Sequence, residues 1–196
     1  MAISTVNQKG LDAPLTLTSP VLTTPDLGTP STLVLTNATG LPASALPSGS
    51  VIQTVYSIIN SNSTTNTSST SWTTTGHTLT ITPRYSNSKI LLTVNSYCFN
   101  SYSGWGSAYT FFRNGSPVIS LGNNTPLAGY RSDSNSNGQA YTLNMTFVDS
   151  PASTSALTYT VYMLSNNGAN TTYYCYTAGS VVYYSAATLV AQEISG

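Results

Sequence analysis

Residues 140–148 alternate without a break: Tyr141, Leu143, Met145 and Phe147 fall on one face, and Thr142, Asn144 and Thr146 on the other. A period of two sends one row to a core and the other to water, which is the pattern of a half-buried strand. Asp149-Ser150-Pro151 follows as a turn. Residues 157–164 then repeat the pattern, with Leu157, Tyr159 and Val161 set against Thr158, Thr160 and Tyr162. No segment sustains a helical period.

Further strand-length runs lie at 51–59, 72–82, 89–99, 107–113, 117–121, 172–176 and 184–194, with a short one at 126–130. Asn114-Gly115 between two of them is a strong hairpin signal, because both residues tolerate the positive φ that a tight two-residue turn needs. About eight antiparallel strands separated by turn clusters predict an all-β, jelly-roll-like sandwich over residues 48–196.

Residues 1–47 follow different rules. Pro14, Pro20, Pro25, Pro30, Pro42 and Pro47 are too closely spaced for helix or regular sheet. An extended arm is expected. Its apolar residues, among them Leu22, Leu27, Leu33 and Leu35, need a surface to pack on, which argues against a simple flexible spacer. At about 3.3 Å per residue such an arm reaches roughly 150 Å, far enough to run along neighbouring subunits.

Only 5% of the 196 residues are charged, and five basic side chains balance five acidic ones. Nothing steers the chain toward nucleic acid or an anionic membrane. Disorder is excluded by fourteen Tyr, four Phe and two Trp among abundant Val, Ile and Thr. The surface is instead wetted by hydroxyls and amides, and strand edges so lightly charged are best covered by oligomerisation. The opening MAISTVNQKG lacks a basic region followed by an apolar stretch, so no secretory signal is expected, and no run is long enough for a membrane span. Synthesis in a cytosol favours buried thiols at Cys98 and Cys175, with a disulfide between neighbouring strands as the alternative.

Enzyme chemistry has little to work with. The single histidine, His77, follows Thr75-Gly76 at the head of a run and is expected to be solvent-exposed or capping. One His and two separated Cys make no ordinary zinc site, and neither metal nor cofactor is expected. Glycoside hydrolysis needs two carboxylates about 5–10 Å apart. Asp12, Asp26, Asp133, Asp149 and Glu193 are scattered over different segments, and Asp149 reads as a turn former.

Carbohydrate binding suits the loops better, since sugars are held by aromatic faces together with amides or charged groups. Tyr102 and Trp105 lie in one such loop, Tyr130, Arg131 and Asp133 in another, and Tyr183 and Tyr184 precede the last run. Each also has a structural reading, as a core cap or subunit-interface aromatic.

The segment LTTPDLGTPSTLVLTNATGLP closely resembles the stretch before the terminal domain of many tailed-bacteriophage tail-fibre and other virion surface proteins. GSVIQTVYS, TLTITPRYSNSKILLTV, FFRNGSPV, TFVDSPASTSALTYTVYM and SAATLVAQEISG resemble the C-terminal β-domains of the same proteins. In architecture the run of strands is also similar to the trimeric jelly rolls of tumour necrosis factor and complement-type heads, an analogy of fold that adds the expectation of a homotrimer. The resemblance implies a non-enzymatic virion structural protein, made in the host cytoplasm and carried on the tail or capsid exterior. Its expected partners are its own copies, other virion proteins through the arm, and a host surface glycan. A tail-fibre or tail-tip adhesin is the leading expectation. A capsid decoration (cement) or head-fibre protein is the alternative, favoured by the lack of any shaft in this chain, and a polysaccharide depolymerase is the third.

Overall fold

A computed structural model describes residues 46–60, 65–101, 105–119, 126–131, 138–176 and 186–196, Arg131 by its backbone alone. All of them belong to the unit Leu41–Gly196. The arm residues Leu22, Leu27, Leu33 and Leu35 lie outside the described residues.

Among the described residues there are eleven strands and no helix. They are β1 (Val51–Ile59), β2 (Asn66–Thr67), β3 (Thr73–Ile81), β4 (Lys89–Asn100), β5 (Gly106–Arg113), β6 (Ser116–Pro117), β7 (Ala128–Arg131), β8 (Gln139–Asp149), β9 (Leu157–Ser165), β10 (Thr172–Tyr174) and β11 (Ala187–Ile194). In the first sheet β1 pairs with β11, and β11 pairs with residues 89–95 of β4. Beyond that point β10 takes over the same edge of β4, and β2 borders β10. The other edge of β4 is filled from Ile90 to Asn100 by β8. The second sheet runs β3, β9, β5, with β7 and β6 sharing the far edge of β5.

Every pairing is antiparallel, and the chain changes sheet at each step from β2 to β5 and again from β7 to β10. That crossing pattern is the double Greek key of a jelly-roll sandwich. The alternation expected over 157–164 is seen directly, with Leu157, Tyr159, Val161 and Met163 buried. They join Leu92 and Leu189 of the first sheet in one core cluster. At about 25 cal/mol per Å² of apolar surface, this shared burial is the main term holding the two sheets together.

Several boundaries differ from expectation. Asn114 and Gly115 have φ of 50° and 81°, the left-handed pair that the tight hairpin requires. Its return strand ends at Pro117 rather than continuing to 121, with one further bond from Val118 N to Phe111 O at 3.0 Å. The run at 172–176 ends at Tyr174 because Cys175 turns to φ 54°. The short run at 126–130 becomes Ala128–Arg131, and β11 starts at Ala187, residues 184 and 185 lying outside the described ones. β2 has no sequence signal, being two residues paired to β10.

Both cysteines are free and buried. Cys98 sits opposite Tyr174 on β10, one residue from Cys175, and burial pushes its thiol up to about 11.

Three polar residues take roles that their sequence positions do not suggest. His77 is neither exposed nor a cap: it is 1% exposed and reaches from β3 to the other sheet. A kink at Gly76, with φ 75° and a register shift between Thr74 and Thr78, aims it inward. Asp149 does precede a turn, but its buried carboxylate also receives Arg113 Nη1 at 2.8 and 2.6 Å and the Tyr159 hydroxyl at 2.6 Å, joining β8 to β5 and β9. Glu193 is fully buried and accepts from Gln53 Nε2 at 2.6 Å, Arg84 N at 2.7 Å, Tyr85 N at 3.3 Å and Ser88 Oγ at 2.7 Å. A carboxylate with this many donors stays buried without a cationic partner.

Candidate functional site

The strand directions give the sandwich two poles. At the base, Gly49 N donates to Ser195 O at 2.8 Å and Ser195 N to Ser50 O at 2.9 Å, so the chain coming from the arm joins the domain beside the end of β11. The 83–88 turn, gripped by Glu193, lies at the same pole, as Lys89 pairs with Ile194. At the opposite pole β4 ends at Asn100, β5 begins, β7 ends, β8 begins and β9 ends. The loops of Tyr102 and Trp105 and of Tyr130, Arg131 and Asp133 start and finish on these strand ends, whereas the segment of Tyr183 and Tyr184 leaves β10 beside Tyr97 and re-enters at β11 near Asn95.

A network of amides and hydroxyls holds this distal pole. Ser107 Oγ lies 2.7 Å from Thr172 Oγ1 and donates to Asn100 Oδ1, and Asn100 Nδ2 donates to Trp105 O at 3.3 Å. Gly106 N donates to Asn166 Oδ1 at 2.6 Å, while Asn166 N returns a bond to Gly106 O at 3.0 Å. Asn170 Nδ2 bonds Ser165 Oγ at 3.0 Å. Buried amides so fully paired fix the loop ends rigidly without any charge. Trp105, next to this network, is 37% exposed.

Between the edge strands β7 and β8 a cleft opens near the same pole. Tyr130 of β7 stacks on Tyr141 of β8 with ring centroids 4.0 Å apart and planes 9° from parallel. The Tyr141 hydroxyl lies 2.6 Å from that of Tyr109, and the Tyr130 hydroxyl donates to Gln139 Oε1. Burial above all, then the neighbouring Cys98 and Tyr141, pushes Tyr109 well above its ordinary value, and burial raises Tyr141 too. Both phenols therefore remain neutral hydrogen-bonding groups at any physiological pH. The cleft has a volume of about 120 Å³, and Gly129, Thr142 and Asn144 complete its walls.

A polar thread leads from this cleft through the core. The Cys98 thiol lies beside the Tyr109 hydroxyl and Ser96, and Ser96 lies beside Tyr174, whose hydroxyl meets His77 Nδ1 at 2.6 Å. The Tyr109 hydroxyl has its partner in Tyr141 and that of Tyr174 in His77, so these buried tyrosines of the two sheets are satisfied within the core.

A second aromatic group sits on the outward face of the first sheet. Tyr173 and Tyr176 stack with centroids 4.8 Å apart, and each lies 5.8 Å from Phe99. Gly138 passes beneath with φ 63°, where a Cβ would stand 2.5 Å from Phe99 Cζ.

Of the expected site residues, Trp105 and Tyr130 are described in full; Tyr130 is on β7 and Trp105 immediately precedes β5, its neighbour, where Gly106 pairs with Arg131 and Ser107 with Tyr130. Tyr102, Asp133, Tyr183 and Tyr184 lie outside the described residues, and of Arg131 only the backbone is described. Of the residues that bracket them, Ser101, Trp105 and Gly138 adjoin strand ends of the distal pole, while Tyr176 follows β10 beside Tyr97 and Ala186 precedes β11. Tyr109 and Tyr141, which line the cleft, carry no sequence signal of it, because an inward row of alternating residues reads as core. Among the described residues no group of three or more His, Cys, Asp or Glu is placed to hold a metal ion, and no helix is long and apolar enough to cross a membrane. A scan of protein-family models and a search of curated proteins both give no match to this chain.

Proposed function

We propose that this chain is a bacteriophage virion structural protein, a homotrimer anchored by its N-terminal arm, whose distal pole binds a host surface glycan as a tail-fibre or tail-tip adhesin. One observation carries the reading: the loops of Tyr102 and Trp105 and of Tyr130, Arg131 and Asp133 begin and end at the pole opposite Gly49, where the chain from the arm enters the domain.

The outward face of the first sheet supports self-association. Thr54, Tyr56 and Ile58 of β1 align with Gln192, Val190 and Thr188 of β11, and these with Leu91, Thr93 and Asn95 of β4. Tyr56 is 70% exposed and Ile58 48%, and along these outward rows Lys89 at the basal edge is the sole charge among the described residues. An uncharged, partly apolar face suits burial against further copies of itself.

The direct junction of arm and domain at Pro47-Ser48-Gly49 favours a second reading, a capsid decoration or head-fibre protein. Against a depolymerase stands the engagement of Asp149 and Glu193, both occupied in structural bonds. Immunogold labelling of particles decides between tail and head, and head labelling removes the adhesin reading. Purified protein is expected to bind host cells and compete with infection, whereas release of reducing sugar from host envelope would establish an enzyme.

A further inference from the structure

We infer that the cleft between β7 and β8 receives the acetamido group of an N-acetylhexosamine residue. The inference rests on the glycan-binding reading of the distal pole and names the sugar class and the place of contact.

Size argues first. The cleft has a volume of about 120 Å³. It is well below the 300 Å³ or more typical of pockets that enclose a whole ligand. A planar group of four heavy atoms fits this space. A hydroxymethyl arm underfills it, and a complete pyranose ring has to stay outside, over Tyr130 and toward Trp105.

The walls match the same group. Tyr130, Tyr141, Ala128 and Leu143 supply apolar surface for a methyl, while the Tyr109–Tyr141 hydroxyl pair supplies polar atoms for an amide; Thr142 and Asn144, whose side chains belong to the outward row of β8, line the cleft along that edge strand. None of the lining residues is charged, which selects a neutral sugar over a uronate or a phosphorylated one. Preorganisation adds to this. The tyrosine stack is held from behind by Tyr109 and from the side by Gln139, so little ordering remains to be done when a sugar arrives.

Saturation-transfer NMR on the full chain with methyl N-acetylglucosaminide and methyl N-acetylgalactosaminide tests the site, methyl glucoside serving as the control without an acetamido group. At least one acetamido sugar is expected to bind at millimolar concentration, its methyl receiving the strongest saturation, with no signal from the control. Tyr130→Ala is expected to weaken binding about tenfold. Tyr141→Phe, which removes one hydroxyl of the Tyr109–Tyr141 pair and keeps the ring, is expected to weaken it several-fold. Absence of binding by both acetamido sugars overturns the inference, as does equal binding by wild type and both variants. Cell binding separates the two levels. If cells are bound alike by wild type and variants, the cleft assignment falls and the adhesin reading stands; if the sugar binds the cleft but cells are not bound, the reverse holds.

Discussion

His77 Nδ1 and the Tyr174 hydroxyl lie 2.6 Å apart in the middle of the sandwich, one from each sheet. The other ring nitrogen faces Ser57 O at 3.1 Å. A carbonyl only accepts, so Nε2 carries the hydrogen and Nδ1 accepts from Tyr174. The neutral ring satisfies both neighbours, and a second proton on it would force the Tyr174 hydroxyl to turn from donor to acceptor and would place a charge in the core.

Acid sensitivity follows. Burial lowers the His77 pKa from its ordinary 6.5, against the smaller opposing pull of the Ser57 carbonyl. The unfolded chain therefore takes up a proton before the folded one does. The associated stability is complete above 6.5 and is lost as pH falls from there toward the lowered folded value. Melting temperature measured between pH 8 and about 5 should be flat and then decline. His77→Gln keeps one donor and one acceptor, should cost about 1–3 kcal/mol, and should remove the decline near 6.5. An unchanged profile in that variant assigns the decline to other groups.

Glu193→Gln replaces one acceptor oxygen by a donor facing other donors. A loss of about 2–4 kcal/mol is expected, the range for a charged hydrogen-bond acceptor removed from a buried site. Hydrogen exchange at the Arg84 and Tyr85 amides should accelerate more than elsewhere, since both donate to this carboxylate. Uniform acceleration over the whole domain contradicts a local clamp.

The two thiols should be silent toward a thiol-specific reagent in the folded protein. Both cysteines are buried, and Cys98 is held almost wholly protonated by burial. Reaction of both on addition of denaturant, without prior reduction, checks that they are thiols and not a disulfide.

Gly138→Ala sets a methyl against Phe99 at a φ that side chains rarely adopt. It should cost about 1–3 kcal/mol and disturb the ring resonances of Phe99, Tyr173 and Tyr176 while sparing those of the base. A substitution without effect shows that the 138 backbone is not tightly placed.

Tyr56→Lys places a charge in the centre of the outward rows of the first sheet. Sedimentation at micromolar concentration should show wild type as a trimer and the variant as a monomer with an unchanged circular dichroism spectrum. A wild type that sediments as a monomer removes the trimer.

The sandwich was readable from sequence because it is written in short-range patterns: the alternation around Leu143 and Met145, the Asn114-Gly115 turn, the proline breaks. Register is not short-range. That Cys98 faces Tyr174, or that Tyr130 meets Tyr141, depends on which strands neighbour each other, and no local pattern carries that. The partners of the buried polar residues are hidden for the same reason. His77, Asp149 and Glu193 look isolated along the chain, and their partners stand many residues away in sequence. Trp105 and Tyr130 draw attention because segments rich in aromatics and amides have a visible composition, while Tyr109 and Tyr141 stand among core residues.

The pairing of β1 with β11 has a mechanical side. A pull on Gly49, resisted at the distal pole, acts along β1 and loads its ladder in shear, so the bonds between Ile59 and Ala187 at one end and Val51 and Ile194 at the other resist together. A pull between Gly49 and Ser195 would instead open the same ladder one bond at a time. Force spectroscopy in the two geometries should give a high rupture force in the first and a low one in the second. A particle tethered through such a domain would be held by its strongest direction.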